Sequence, residues 1–86
     1  MRIRYHKSFL KSYRKLDVIT KGKVKNAIVL FCQNPKDVRL YNHGLKGRLF
    51  GKRAIKVTGD VRIIFEEYDD YLEVLFLDVG THNQVY

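Results

Sequence analysis

The chain has one cysteine, one proline and no tryptophan in 86 residues. A lone Cys32 excludes an internal disulfide, and its place in the apolar run "NAIVLFCQ" assigns it to helix packing rather than to a reactive thiol. No apolar stretch approaches the roughly 18 residues of a membrane span. "MRIRYHKSF" starts with charge but has no apolar signal core, so a soluble, cytoplasmic protein with no membrane partner is expected. Closely spaced metal ligands and hard-ion carboxylate clusters are missing, and "GRLFGKR" lacks the spacing and strand-to-helix setting of a phosphate-cradling loop. Neither a metal nor another cofactor is therefore expected, and nucleophilic cysteine or serine chemistry finds no support. One further absence concerns charge: Ile63 to Tyr86 holds six acids and no base.

What is present is cationic and concentrated. All 17 lysines and arginines lie between Arg2 and Arg62, against only Asp17, Asp37 and Asp60. The formal charge is +8 and the pI about 9.8, a field that favours anionic partners such as nucleic acid or an acidic protein. With 45% apolar residues, residues 1–86 should fold as one domain around one core.

"MRIRYH" alternates Met1, Ile3 and Tyr5 with Arg2, Arg4 and His6, the period of a half-buried strand. From Ser8, read as an N-cap, Phe9, Leu10, Tyr13 and Leu16 recur at helical spacing. Asp17 caps a second helix whose Val24, Ala27, Ile28 and Phe31 form an apolar stripe until Asn34 and Pro35 stop it. "KDVRLYNHGLKGRLFG" reads as loop. "KRAIKV", "VRIIFEE" and "YLEVLFLDV" then read as three antiparallel strands joined by "TGD" and "YDD". The fold class is therefore α+β: a strand, two helices and a three-stranded antiparallel sheet, with the helices packed on one sheet face.

A three-residue turn Thr58–Gly59–Asp60 sets Val57 opposite Val61, Ile55 opposite Ile63 and Arg53 opposite Phe65, collecting the apolar side chains on one face. Lys52, Lys56 and Arg62 then form a cationic row on the other. Near the same end of the sheet lie His43, Arg53, Asp60, His82 and Tyr86, parts from which metal-free RNA cleavage can be built. The ribose 2′-hydroxyl attacks its own phosphate, which needs a base, an acid for the leaving 5′-oxygen and cations for the developing charge. Histidine serves either proton role near neutral pH, and lysine and arginine serve the phosphate. Each residue also has a plainer reading. The histidines can be surface or packing residues, Lys52 solvated surface, Arg53 a rim residue closing the sheet with its stem, Asp60 a turn former and Tyr86 an apolar plug. Composition alone supports a basic α+β domain that binds an anion.

The element order, "HGLKGRLFGKRAIKVTGDVRIIFEE" and the closing "VGTHNQVY" resemble the RelE/ParE superfamily of bacterial toxins, and within it the YafQ-type messenger-RNA interferases. The resemblance covers nearly the whole chain, but its specific part is the second half. It implies the toxin of a type II toxin–antitoxin system: an endoribonuclease that cuts mRNA on the ribosome, contacts ribosomal RNA and is silenced by a cognate antitoxin. It further implies catalytic roles for His43, Asp60, His82 and Tyr86, beside phosphate-binding Lys52, Arg53, Lys56 and Arg62. Two positions depart from the family pattern, with Lys56 in place of a further strand histidine and Val61 in place of a tryptophan. A lysine holds phosphate but shuttles protons poorly at pH 7. Two alternatives stay open, a ParE-like poison of DNA gyrase and a non-catalytic nucleic-acid-binding module.

Overall fold

A computed structural model describes residues Met1–Tyr86. In chain order it has β1 (Arg2–Tyr5), α1 (Lys7–Arg14), α2 (Val18–Gln33), β2 (His43–Gly44), β3 (Arg53–Lys56), β4 (Val61–Tyr68), β5 (Glu73–Thr81) and α3 (His82–Val85). The expected helices and the three later strands are present. Two further elements were not expected: the two-residue β2, formed within the segment read as loop, and the short α3 after β5. The sheet thus has five strands, in the order β1-β5-β4-β3-β2, with β1 parallel to β5 and the remaining pairs antiparallel.

Local chemistry sets the helix ends. His6, not Ser8, caps α1: its Nδ1 accepts from the Ser8 backbone N–H at 3.0 Å, so the helix begins two residues earlier than expected. Asp17 caps α2 through Thr20 N–H at 2.6 Å. That helix ends at Asn34, whose extended backbone suits a residue preceding proline.

The hairpin register is the expected one, with Ile55 opposite Ile63, Arg53 opposite Phe65 and Lys56 opposite Arg62. Val57 N–H donates to Val61 C=O across the turn. A bulge at Leu77 lets Ile64 pair with Asp78 but Phe65 with Phe76, which adds twist to β5. On the helix side Phe9, Val24, Ala27, Phe31 and Leu40 pack against Ile55, Ile63, Phe65, Val74, Phe76 and Val79. Phe31 is the hinge of this core, edge-on to Phe65 at 5.0 Å between centroids and tilted against Phe76 at 5.6 Å.

Two packing expectations need correction. Cys32 is exposed, because the stripe that ends at Phe31 faces the sheet and the next residue is rotated about 100° away from it. The second sheet face is not simply a solvated cationic row. It also carries Ala54 and Ile64, both buried, and α3 folds back over β4 and β5. No helix is long and apolar enough to cross a membrane.

Truncating Phe31 leaves a void that neither the α2 backbone nor the sheet can fill. Phe31→Ala is expected to cost about 3–5 kcal/mol, read as a lower urea midpoint with an unchanged slope.

Candidate functional site

The tip of the β3–β4 hairpin organises one end of the molecule. Thr58 Oγ1 accepts from the Asp60 and Val61 backbone N–H groups at 3.2 and 3.0 Å, closing the turn. Arg62, on β4, bends back over it and donates from one guanidinium nitrogen to the carbonyls of Thr58 (2.7 Å) and Val61 (3.2 Å). Those acceptors are neutral, so the Arg62 charge meets no carboxylate. Lys56, its cross-strand partner, is exposed and has no acidic partner either. Lys52 differs, with its Nζ 3.9 Å from the Glu66 carboxylate.

The segment after β5 is built against this tip. Gly80 lies opposite Arg62, and the chain turns at Thr81 into α3. Thr81 and Gln84 form a reciprocal cap: Thr81 Oγ1 accepts from Gln84 N–H at 3.3 Å, and Gln84 Oε1 accepts from Thr81 N–H at 2.8 Å. The His82 backbone N–H donates to the Asp60 carbonyl at 3.1 Å, tying the helix start to the hairpin turn. Tyr86 N–H donates to the His82 carbonyl at 3.1 Å, and the two rings meet edge-on at 4.4 Å. Tyr86 also abuts the "HGLKGRLFG" loop, where Arg48 donates to its carbonyl and Leu45 and Leu49 line the same hollow. Its hydroxyl is buried without a hydrogen-bond partner. Burial raises its pKa above the ordinary tyrosine value and the nearby Arg62 only partly opposes this, so at neutral pH the phenol keeps its proton.

Of the eight residues singled out, five gather at this tip: Lys56, Asp60, Arg62, His82 and Tyr86. His43 lies on the same sheet face but further back. It pairs with Ala54, two strand residues or about 7 Å from Lys56 along β3. Its Nδ1–H donates to the Tyr41 carbonyl at 2.9 Å, which leaves Nε2 of the neutral ring as the free acceptor. Lys52 lies two residues beyond Ala54 in the other direction and is paired with Glu66. Arg53 is on the opposite, helix-side face. Its Nε donates to Asn42 Oδ1 at 2.9 Å, while Asn42 Nδ2 donates to the Pro35 carbonyl and the Tyr71 hydroxyl. Arg53 therefore anchors the loop in this structure, from the face on which its register placed it.

Two contributors escaped the sequence reading: Arg48 and the Thr81–Gln84 cap. "THNQ" carried a usable signal, the Thr-x-x-Gln capping spacing, whereas Arg48 depends on a contact across 38 residues that no local pattern reveals.

Neither protein-family models nor curated proteins match the chain. Solved structures do. YafQ from E. coli superimposes with a TM-score of 0.83 at 24% identity, covering 100% of this chain and 99% of that one. A YoeB/ParE toxin from Agrobacterium tumefaciens gives 0.78 at 16% identity, covering 95% and 99%. The E. coli DinJ–YafQ toxin–antitoxin complex gives 0.74 at 24% identity, covering 98% and 94%. The chain has the fold of these toxin structures.

The geometry of the segment after β5 can be tested without activity. A Cβ on Gly80 would sit 2.7 Å from Gln84 Oε1 and 3.3 Å from Val85 Cγ1, so Gly80→Ala is expected to push the Gln84 side chain off the Thr81 N–H and, with that cap lost, to loosen α3. Arg48→Ala should loosen the same segment from the loop side. In both variants the ring-current shift that Tyr86 imposes on the His82 ring protons should collapse, with the core methyl resonances unchanged. In the wild type this signature should persist below the ordinary tyrosine pKa and fade only as pH rises through the raised one, where the buried phenol ionises.

Proposed function

We propose that this chain is the toxin of a type II toxin–antitoxin system, a ribosome-dependent endoribonuclease that cleaves mRNA and is neutralised by a cognate antitoxin. The observation that carries the proposal is the bond from the His82 backbone N–H to the Asp60 carbonyl, which ties the start of the closing helix to the turn of the hairpin that carries Lys56 and Arg62, two cations that no carboxylate neutralises. The shared fold with YafQ, and with YafQ in its toxin–antitoxin complex, supports the same reading.

The chemistry uses the chain's own groups. A base takes the 2′-hydroxyl proton and the 2′-oxygen bonds to phosphorus. The bond from phosphorus to the 5′-oxygen breaks as an acid protonates it, leaving a 2′,3′-cyclic phosphate and a 5′-hydroxyl. Lys56 and Arg62 hold the non-bridging oxygens and stabilise the charge that builds on them. His82 is one proton-transfer group. The phenol of Tyr86, protonated at neutral pH, acts through its ring by fixing the imidazole edge-on. His43 supplies a second imidazole on the same face, with Nε2 free to accept.

Single-turnover cleavage on programmed ribosomes tests this. His82→Ala should slow cleavage by about 10²- to 10⁴-fold while circular dichroism and ribosome binding stay unchanged. Tyr86→Phe should keep most activity and Tyr86→Ala should lose it. Full activity in His82→Ala would remove the imidazole from the mechanism, and gyrase-dependent DNA breaks in place of RNA cuts would establish the ParE-like alternative.

The antitoxin half of the proposal has its own test. Expression of the chain alone should arrest growth, and co-expression of the small protein encoded beside it should restore growth and co-purify. A harmless chain with no binding neighbour would refute it.

A further inference from the structure

Beside β2 the chain forms an open cavity of about 480 Å³, within the roughly 300–1,000 Å³ range of ligand clefts. Its walls include Lys36, Val38, Tyr41, Asn42, His43 and Arg53. Tyr41 stands out among them. It closes a 3₁₀ turn over Val38–Leu40 with a left-handed backbone, φ 50°, a conformation that costs energy for a residue with a Cβ. Leu40 beside it is buried in the core, so the turn is pinned from below while the Tyr41 side chain stays 68% exposed. His43 leans edge-on against that ring at 5.6 Å and its Nδ1–H holds the Tyr41 carbonyl. The ring is thus held in place with surface left open to the cavity.

The charge around it is one-sided. Asp37, the acid in the wall, is bound by the Arg39 guanidinium at 2.9 and 3.0 Å. Lys36 and Arg53 have no carboxylate partner: Arg53 donates its Nε to the Asn42 amide, and the Lys36 ammonium lies 5.9 Å over the Tyr71 ring. A fixed exposed aromatic beside two uncompensated cations is the chemistry that receives a single-stranded nucleotide, base on the ring and phosphate on the cations.

We propose that this cavity is an RNA subsite in which one unpaired base stacks on Tyr41 while its phosphate pairs with Lys36 and Arg53, next to His43. The inference rests on the RNA-cleaving reading and adds to it a place where a nucleotide flanking the cut is held. Because stacking tolerates any base, the subsite holds the strand in place without dictating its sequence.

The test uses the full chain and short single-stranded RNAs carrying 2-aminopurine at successive positions. One position should be quenched on binding to the wild type and not on binding to Tyr41→Ala. Affinity should fall about 5- to 150-fold in Tyr41→Ala, the range of one stacked base, and be kept in Tyr41→Phe. Lys36→Gln should lower the slope of log affinity against log salt by about 0.7, one single-strand phosphate contact. Equal affinity and equal quenching in wild type and Tyr41→Ala would overturn the subsite while leaving the nuclease reading intact. A wild type that neither binds RNA nor cuts a translated message would overturn both. Loss of binding to an acidic protein in Tyr41→Ala, with RNA binding unchanged, would make the cavity a protein-docking site and overturn the proposal.

Discussion

Thr58 Oγ1, by accepting two backbone N–H groups, closes a turn of three residues rather than two, and every later feature of the molecule depends on that count. With three residues in the loop, Ile55 meets Ile63 and Lys56 meets Arg62. A slip of one would turn each side chain of one strand to the other face, placing lysine under α2 and isoleucine in water. The same turn offers two carbonyls outward. That of Thr58 receives Arg62 and that of Asp60 receives His82 N–H. A turn that sorts core from surface therefore also docks the cation and the imidazole on which the proposed chemistry rests.

Two long-range ties then hold the intervening loop against the sheet. On the helix side Arg53, Asn42 and Tyr71 form a chain of hydrogen bonds, and the Tyr71 ring packs edge-on to Phe31 at 6.0 Å. On the other side Arg48 holds the Tyr86 carbonyl. The loop that carries His43 is thereby fastened both to the core and to the segment that carries His82. Such fastening lets side chains on an irregular segment keep a fixed geometry, which catalysis by positioned groups requires.

Periodicity made much of this readable in advance. Alternation marked β1, apolar runs bounded by turn sequences marked β3, β4 and β5, helical spacing marked α1 and α2, and the wish to bury Ile55, Ile63 and Phe65 together settled the hairpin register. Elements without a period were not readable. His43–Gly44 is two residues long and becomes a strand only because β3 has a free edge beside it. The α1 cap was misread because a histidine acceptor at position 6 competes with the better-known serine at position 8. Cys32 looked buried because apolar neighbours surround it in sequence, yet a helix turns its next residue away from the face its predecessor buries. The site showed the same division: His82, Asp60, Arg62 and Lys56 could be gathered from register, whereas the Arg48 contact and the exposure of Tyr41 are products of the folded loop.

The charge asymmetry of the sequence acquires a physical meaning at the tip. Of the six acids of the second half, Asp69, Asp70 and Glu73 lie at the β4–β5 turn, at the other end of β4 from the tip, and the other three are engaged by side-chain contacts. Glu66 meets Lys52 and the Tyr68 hydroxyl, Glu67 accepts from Tyr71 N–H, and Asp78 accepts from the Ser12 hydroxyl at 2.7 Å and from Val79 N–H. The one acid at the tip, Asp60, binds His82 through its backbone carbonyl, with no salt bridge from its carboxylate to Arg62 or Lys56. Two cations thus remain unneutralised on a face where buried Ala54 and Ile64 replace water on one side. A charge beside low-dielectric surface acts more strongly on an approaching anion than one fully surrounded by water. The acids that lower the net charge to +8 therefore form no salt bridge to Lys56 or Arg62, and the cationic character of the first 62 residues persists at the tip.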